Sequence, residues 1–198
     1  WMGKPYTGGF FTASFSEGMK YFILTHSTAD APSTITLHNQ KAEQIRELVG
    51  NIPLKENLKK YGCVKKEFFQ FQTSEGVKLN GWMMMPEGAK NNGQQYPVLV
   101  AIYGGPGRNT VMDQFEGKNY LWHQLLVQNG YIVVSVDPRG TQFRGKAFKH
   151  STYLQLGKLE TEDFIATAKF LKGLPFVKKD RINMQGWSFG GYMTSLCL

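Results

Sequence analysis

Cysteine is scarce in this sequence. Cys63 and Cys197 are its only two. Two distant thiols neither frame a disulfide scaffold nor match a metal-ligand spacing, so the residues call for no metal and no cofactor. No apolar run approaches the roughly 18 residues of a membrane span, and no stretch has the build of a signal peptide. Acidic residues are in deficit, 15 against 23 lysines and arginines, for a net charge of +8. That excess is dispersed. Its densest run, Lys55, Lys59, Lys60, Lys65 and Lys66, accompanies no nucleic-acid motif and reads as a solvated linker surface, so no nucleic-acid partner is expected. The sequence opens on Trp1-Met2-Gly3, which is no recognisable start, and Leu198 falls inside an expected helix. The expectation is a fragment whose fold the rest of the same polypeptide completes.

With 41% hydrophobic and 14% aromatic residues the chain can build a core. Residues 1–50 read as short antiparallel strands: Gly9 to Ser16, Tyr21 to Ser27, Thr34 to Asn39 and Ile45 to Val49. The stretch Thr28 to Ser33, rich in turn residues, reads as a loop. Strands at this spacing suggest a sandwich, a barrel or a propeller blade, and four strands in about forty residues match one blade in length. One blade cannot bury its faces alone, so it would end a longer array. A short helix over Ile52 to Gly62, closed by its glycine, marks the domain boundary. Val64 to Thr73 and Val77 to Met85 form a hairpin about Ser74-Glu75-Gly76, with Met83, Met84 and Met85 as strand filling.

From Tyr96 the pattern alternates. Val98 to Ile102 and Tyr131 to Val136 are apolar runs, as expected of strands buried on both faces. Tyr120 to Asn129 is helical with Leu121, Leu125 and Leu126 on one face and Gly130 as C-cap. Thr161 to Lys172 is helical with Phe164, Ala168 and Leu171 inward, and with Glu162 and Asp163 favouring the dipole at its start. Ile182 to Gln185 is a further strand. This alternation predicts a mostly parallel sheet flanked by helices, an α/β class.

That strand feeds Gly186-Trp187-Ser188-Phe189-Gly190-Gly191. Gly-x-Ser-x-Gly is the pattern of a nucleophile elbow, a strained strand-to-helix turn that exposes Oγ. Glycines on either side let strand and helix pass without Cβ collisions, and the helix N-terminus suits a developing oxyanion. The bare pattern also fits an ordinary turn; the preceding strand and Gly191 favour the elbow. A second glycine-rich loop, Tyr103-Gly104-Gly105-Pro106-Gly107, follows the Val98–Ile102 strand. It reads either as a turn with a core tyrosine or, given the elbow downstream, as the second half of an oxyanion hole.

These residues, with Asp137-Pro138-Arg139-Gly140, occur in the order and spacing of the prolyl oligopeptidase family of serine peptidases. They most resemble its dipeptidyl peptidase IV branch, where a Trp commonly precedes the serine. The likeness runs from about residue 20 to the end. It implies a β-propeller ending in residues 1–51 and the N-terminal part of an α/β-hydrolase domain in 52–198. It implies Ser188 as nucleophile, with the Phe189 backbone N–H and the Tyr103 hydroxyl forming the oxyanion hole. The branch often has Tyr where Phe189 stands, so the S1 wall here lacks a hydroxyl. The family order is Ser, Asp, His, whereas His26, His38, His123 and His150 all precede Ser188. The triad Asp and His are therefore expected beyond Leu198, and the 198 residues alone are expected to be inactive.

The implied activity is a serine exopeptidase cleaving after proline or alanine near the N-terminus of peptides through an acyl-enzyme. The alternatives are an acylaminoacyl peptidase or esterase of the same fold, or a non-catalytic truncated module. The implied partners are peptide substrates and a homo-oligomer; the implied location is periplasmic, membrane-associated or secreted.

Overall fold

The computed structural model describes residues 8–198, so Trp1-Met2-Gly3 lies outside the described residues. These residues form two compact units, one of 8–65 with Met112–Leu121, the other of Lys66–Val111 with Trp122–Leu198.

In the first unit, β1 (Phe10–Phe15), β2 (Tyr21–Thr28), β3 (Ala31–Asn39) and β4 (Gln44–Val49) form an antiparallel sheet in sequence order. Alternation decides what it buries: Phe22 and Leu24 of β2 point inward. The expected Thr28–Ser33 loop is a tight turn instead. Thr28 already pairs with Ala31, and Pro32 and Ser33 belong to β3. Pro32 falls where the β2–β3 register shifts, between the Thr28–Ala31 and His26–Thr34 pairs, an irregularity of the kind that tolerates a missing N–H. Helix α1 (Ile52–Lys60) follows, with Pro53 in its first turn and Gly62 in left-handed conformation after its end, as anticipated.

The second unit holds a five-stranded sheet of β5 (Glu67–Gln72), β6 (Lys78–Met84), β7 (Tyr96–Ile102), β8 (Ile132–Asp137) and β9 (Val177–Gly186), in the order β5-β6-β8-β7-β9. The sheet is mixed rather than mostly parallel. β7 runs parallel to both β8 and β9, but β5 pairs antiparallel with β6, and β6 antiparallel with β8. A hairpin returns on itself, so its two strands cannot both join a parallel sheet in one direction.

Both faces of the sheet are used. Leu79, Met83, Val98, Val100, Ile102, Ile132, Val134 and Val136 point to one side, where they pack with Phe164 and Leu171 of α4 (Lys158–Lys172) and Met193 of α5 (Phe189–Leu196). Trp82, Met84, Val133 and Ser135, also buried, alternate with these. β8 is buried at every position as expected, whereas Leu99 and Ala101 leave β7 half-covered on its second face.

In two helices the buried set differs from the sequence pattern: α2 (Lys118–Gln128) turns other residues inward, and α4 buries the expected Phe164 and Leu171 together with polar neighbours. In α2 the buried positions are Tyr120, His123, Gln124 and Val127, while Leu121 and Leu125 are half exposed and Leu126 is intermediate. The buried set keeps the helical spacing but is partly polar. The Gln124 amide reaches the Met84 sulfur at 3.7 Å, and the His123 ring tilts against Trp82 at 5.3 Å. In α4, which starts three residues earlier than read from sequence, Glu160, Asp163 and Thr167 are buried beside Phe164 and Leu171, and Ala168 is only partly so. Asp163 is thus an internal partner, not a surface charge placed for the dipole. Glu160 accepts from the Gly157 N–H at 3.0 Å, and burial raises its carboxyl above the usual range. His150 ends the short helix α3 (Lys146–His150).

Candidate active site

Register brings three strand ends to one level. Ile102 at the end of β7 pairs with Gly186 at the end of β9, and β8 lies on the other flank of β7 and ends at Asp137. The chain therefore leaves β7 and β9 side by side, one branch entering Tyr103-Gly104-Gly105, the other Trp187-Ser188-Phe189. Ligands of open α/β sheets gather at such carboxyl ends.

The elbow is strained at its centre. Ser188 has φ 56° and ψ −121°, a backbone conformation that L side chains rarely adopt and that costs roughly 1–3 kcal/mol. Its hydroxyl is exposed and does not cap α5. The flanking glycines have definite tasks. A Cβ at Gly186 would run into the backbone of Gly190, and a Cβ at Gly190 would stand 2.5 Å from the Ile102 carbonyl oxygen. β9, α5 and the end of β7 thus approach through bare backbone. Gly191 is different: a Cβ there would meet only the Gly186 oxygen at an ordinary 3.5 Å, so this glycine is not part of the steric requirement. The turn closes with Gly190 N–H donating to Trp187 O at 2.9 Å and Tyr192 N–H to Ser188 O at 3.1 Å. Phe189 opens α5, where helical geometry leaves the first N–H groups without intrahelical acceptors.

Tyr103 and Phe189 come together. Their ring centroids are 6.2 Å apart, and Gly105 sits between them, where a Cβ would lie 2.7 Å from Tyr103 Cε1 and 3.3 Å from the Phe189 ring. Gly104, at φ 75°, turns the chain against Phe164 of α4. The Arg108 guanidinium lies over the Tyr103 ring, 5.2 Å from its centroid.

What fixes this loop is a carboxylate whose task the sequence reading missed. Asp137, only 4% exposed, accepts from the Thr110 N–H at 2.8 Å, the Thr110 hydroxyl at 2.9 Å, the Asn109 amide at 2.7 Å and the Val111 N–H at 3.2 Å. Burial raises its carboxyl, and these four donors pull the other way. Asn109 Oδ1 in turn accepts from the Gln142 N–H, and the Gln142 amide donates to Gly107 O at 2.6 Å. Arg139 ties the same turn to α4, with its N–H and guanidinium on buried Asp163 and further pairs to Glu162 and Glu75. A usable signal was present: an aspartate that ends a strand read as buried, directly before a proline, is a carboxylate about to be buried.

The histidines are spread through other settings. His26 stacks on Phe11, and His38 is buried and bonded to Thr36. His123 is pushed down to about 4 by burial and by the Lys66 ammonium. His150 shares a hollow of about 580 Å³ with Pro106, Lys149 and Tyr153.

Residues 118–198 match the model of the prolyl oligopeptidase family. The chain resembles the crystal structure of Porphyromonas gingivalis dipeptidyl peptidase 4 with a TM-score of 0.91 and 37% identity, over 98% of this chain and 27% of that one. It is 33% identical over 190 residues to the "Probable dipeptidyl peptidase 4" of Aspergillus flavus, covering 96% of this chain and 24% of the relative. To the dipeptidyl peptidase 4 of Trichophyton equinum it is 32% identical over 193 residues, with the same coverages. The chain spans about a quarter of the length of the curated relatives it matches.

Proposed function

Residues 118–198 belong to the prolyl oligopeptidase family, and from that premise we propose that the complete protein is a serine peptidase that works through an acyl-enzyme on Ser188. The observation that carries this reading is the elbow itself: a non-glycine residue at φ 56°, its hydroxyl exposed, held where two glycines let three backbones converge. Strain of this kind persists only when its surroundings enforce it.

In this reading the Ser188 Oγ attacks the scissile carbonyl. The negative charge that develops on the carbonyl oxygen is met by the Phe189 backbone N–H and the Tyr103 hydroxyl, both of which stand ready before the charge appears. Collapse of the tetrahedral species expels the amine, and water releases the acyl group. The proton of Ser188 passes to a base, and the triad Asp and His come from chain outside residues 1–198. We read 52–198 as the N-terminal part of an α/β-hydrolase domain and 1–51 as the C-terminal end of a β-propeller. The separate four-stranded and five-stranded sheets support two domains, although the compact units divide at Lys65 rather than at residue 51.

The relatives' names, dipeptidyl peptidase 4, support release of a dipeptide; cleavage after proline or alanine is the reading that the family resemblance implies. A fluorophosphonate probe applied to the complete protein should label Ser188 and leave Ser188→Ala unlabelled and without turnover. Labelling that survives the substitution removes the assignment. Among p-nitroanilides, Xaa-Pro and Xaa-Ala should outpace blocked acyl-amino acids, and turnover should not be confined to esters. The reverse order would mark an acylaminoacyl peptidase, and turnover of esters alone an esterase.

A further inference from the structure

We propose that Arg108 is a positioning residue of the oxyanion hole: its guanidinium holds the Tyr103 ring in place and keeps a positive charge beside the hydroxyl. The proposal rests on the reading of Ser188 and Tyr103 just given. Three observations carry it. The Arg108 Cζ lies 5.2 Å from the Tyr103 ring centroid, inside the roughly 6 Å reach of a cation–π contact. The ring has a second neighbour in Phe189, and the Gly105 backbone runs close against it, so its placement is determined from several sides. The backbone carrying Arg108 is itself held. The Arg108 N–H donates to Gly105 O at 3.3 Å, Gly107 O accepts from Gln142, and Asn109 is bound to Asp137.

Among the described residues, no carboxylate pairs with Arg108. Its charge is therefore not spent on an internal ion pair, unlike that of Arg139. A fixed cation over an electron-rich ring draws density from the phenol and strengthens its O–H as a donor. That effect favours the transition state over the bound substrate, so it belongs in kcat rather than in KM. An arginine that instead gripped a carboxylate of the peptide would act on KM, and only for substrates that carry one.

The test is a double-mutant cycle in the full-length protein with an Xaa-Pro-p-nitroanilide, whose leaving group has no carboxylate. Arg108→Met should lower kcat about two- to fivefold with little change in KM, the size of a partly exposed cation–π contact. Arg108→Lys, which keeps the charge, should recover part of the loss. In the Tyr103→Phe background, adding Arg108→Met should cost nothing further, because the group it serves is gone. A silent Arg108→Met beside a crippled Tyr103→Phe overturns this proposal alone, as does an equal loss in both backgrounds or an effect confined to KM. A Tyr103→Phe that keeps full kcat overturns the role of Tyr103 and takes this proposal with it.

Discussion

Two residues next to each other in the sequence show how differently two glycines of one motif behave. Gly190→Ala places a methyl group 2.5 Å from the Ile102 oxygen, and a backbone carbonyl cannot step aside as a side-chain end can. Overpacking of this kind costs about 1–3 kcal/mol, which outweighs the up to about 1 kcal/mol that alanine gains over glycine inside a helix. Gly191→Ala meets only an ordinary contact and keeps the helical gain. Thermal unfolding of the two variants should therefore move in opposite directions, down for Gly190→Ala and level or up for Gly191→Ala. A common sign would remove the steric account of the elbow. Tyr103→Phe tests the other arm of the site. It should lower kcat about 10²- to 10³-fold, the range for a lost oxyanion donor, with a much smaller change in KM. An unaltered kcat returns Tyr103 to a packing role beside Phe189.

At the level of elements, α2 shows where sequence patterns mislead. Leucines dominate the helix, yet His123 and Gln124 lie inside while Leu121 and Leu125 lie half out. Patterning weighs each residue alone. The partners that make a polar side chain welcome, the Met84 sulfur and the Trp82 ring, sit in a distant strand. The same limit hid the Asp137 clamp, since its four donors come from residues 109–111 and nothing local marks them as its partners. The elbow and the Tyr103 loop were legible because each is a local requirement: glycine where backbones cross, and a strand end before a turn.

Buried His123 also sets a pH dependence. Its folded value of about 4 lies below the ordinary 6.5, so folding favours the neutral ring. The stability it contributes is present above pH 6.5 and is lost as pH falls toward 4, by up to about 3 kcal/mol. Between pH 7 and 4.5, His123→Gln should lose about 2–3 kcal/mol less than the parent in denaturant unfolding. Parallel pH slopes would show that the ring titrates normally.

For the molecule as a whole, the prediction concerns residues 1–198 as a separate polypeptide. A serine hydroxyl needs a base to take its proton. His26 and His38 are engaged within the first sheet, and His123 is packed against Trp82. The isolated residues should therefore hydrolyse an Xaa-Pro-p-nitroanilide orders of magnitude more slowly than the complete protein. Comparable rates would overturn the argument. They would bring forward His150, which shares a hollow with Pro106 of the Tyr103 loop. The bare-backbone crossing of Gly186, Gly190 and Ile102 has a mechanical consequence as well. No side chain cushions the joint, so the serine and the loop opposite it cannot drift independently. A push on either is transmitted to the other undamped. Tolerances of about 0.5 Å, of the kind catalytic geometry demands, are then kept by contact between rigid parts as well as by the hydrogen bonds around Asp137.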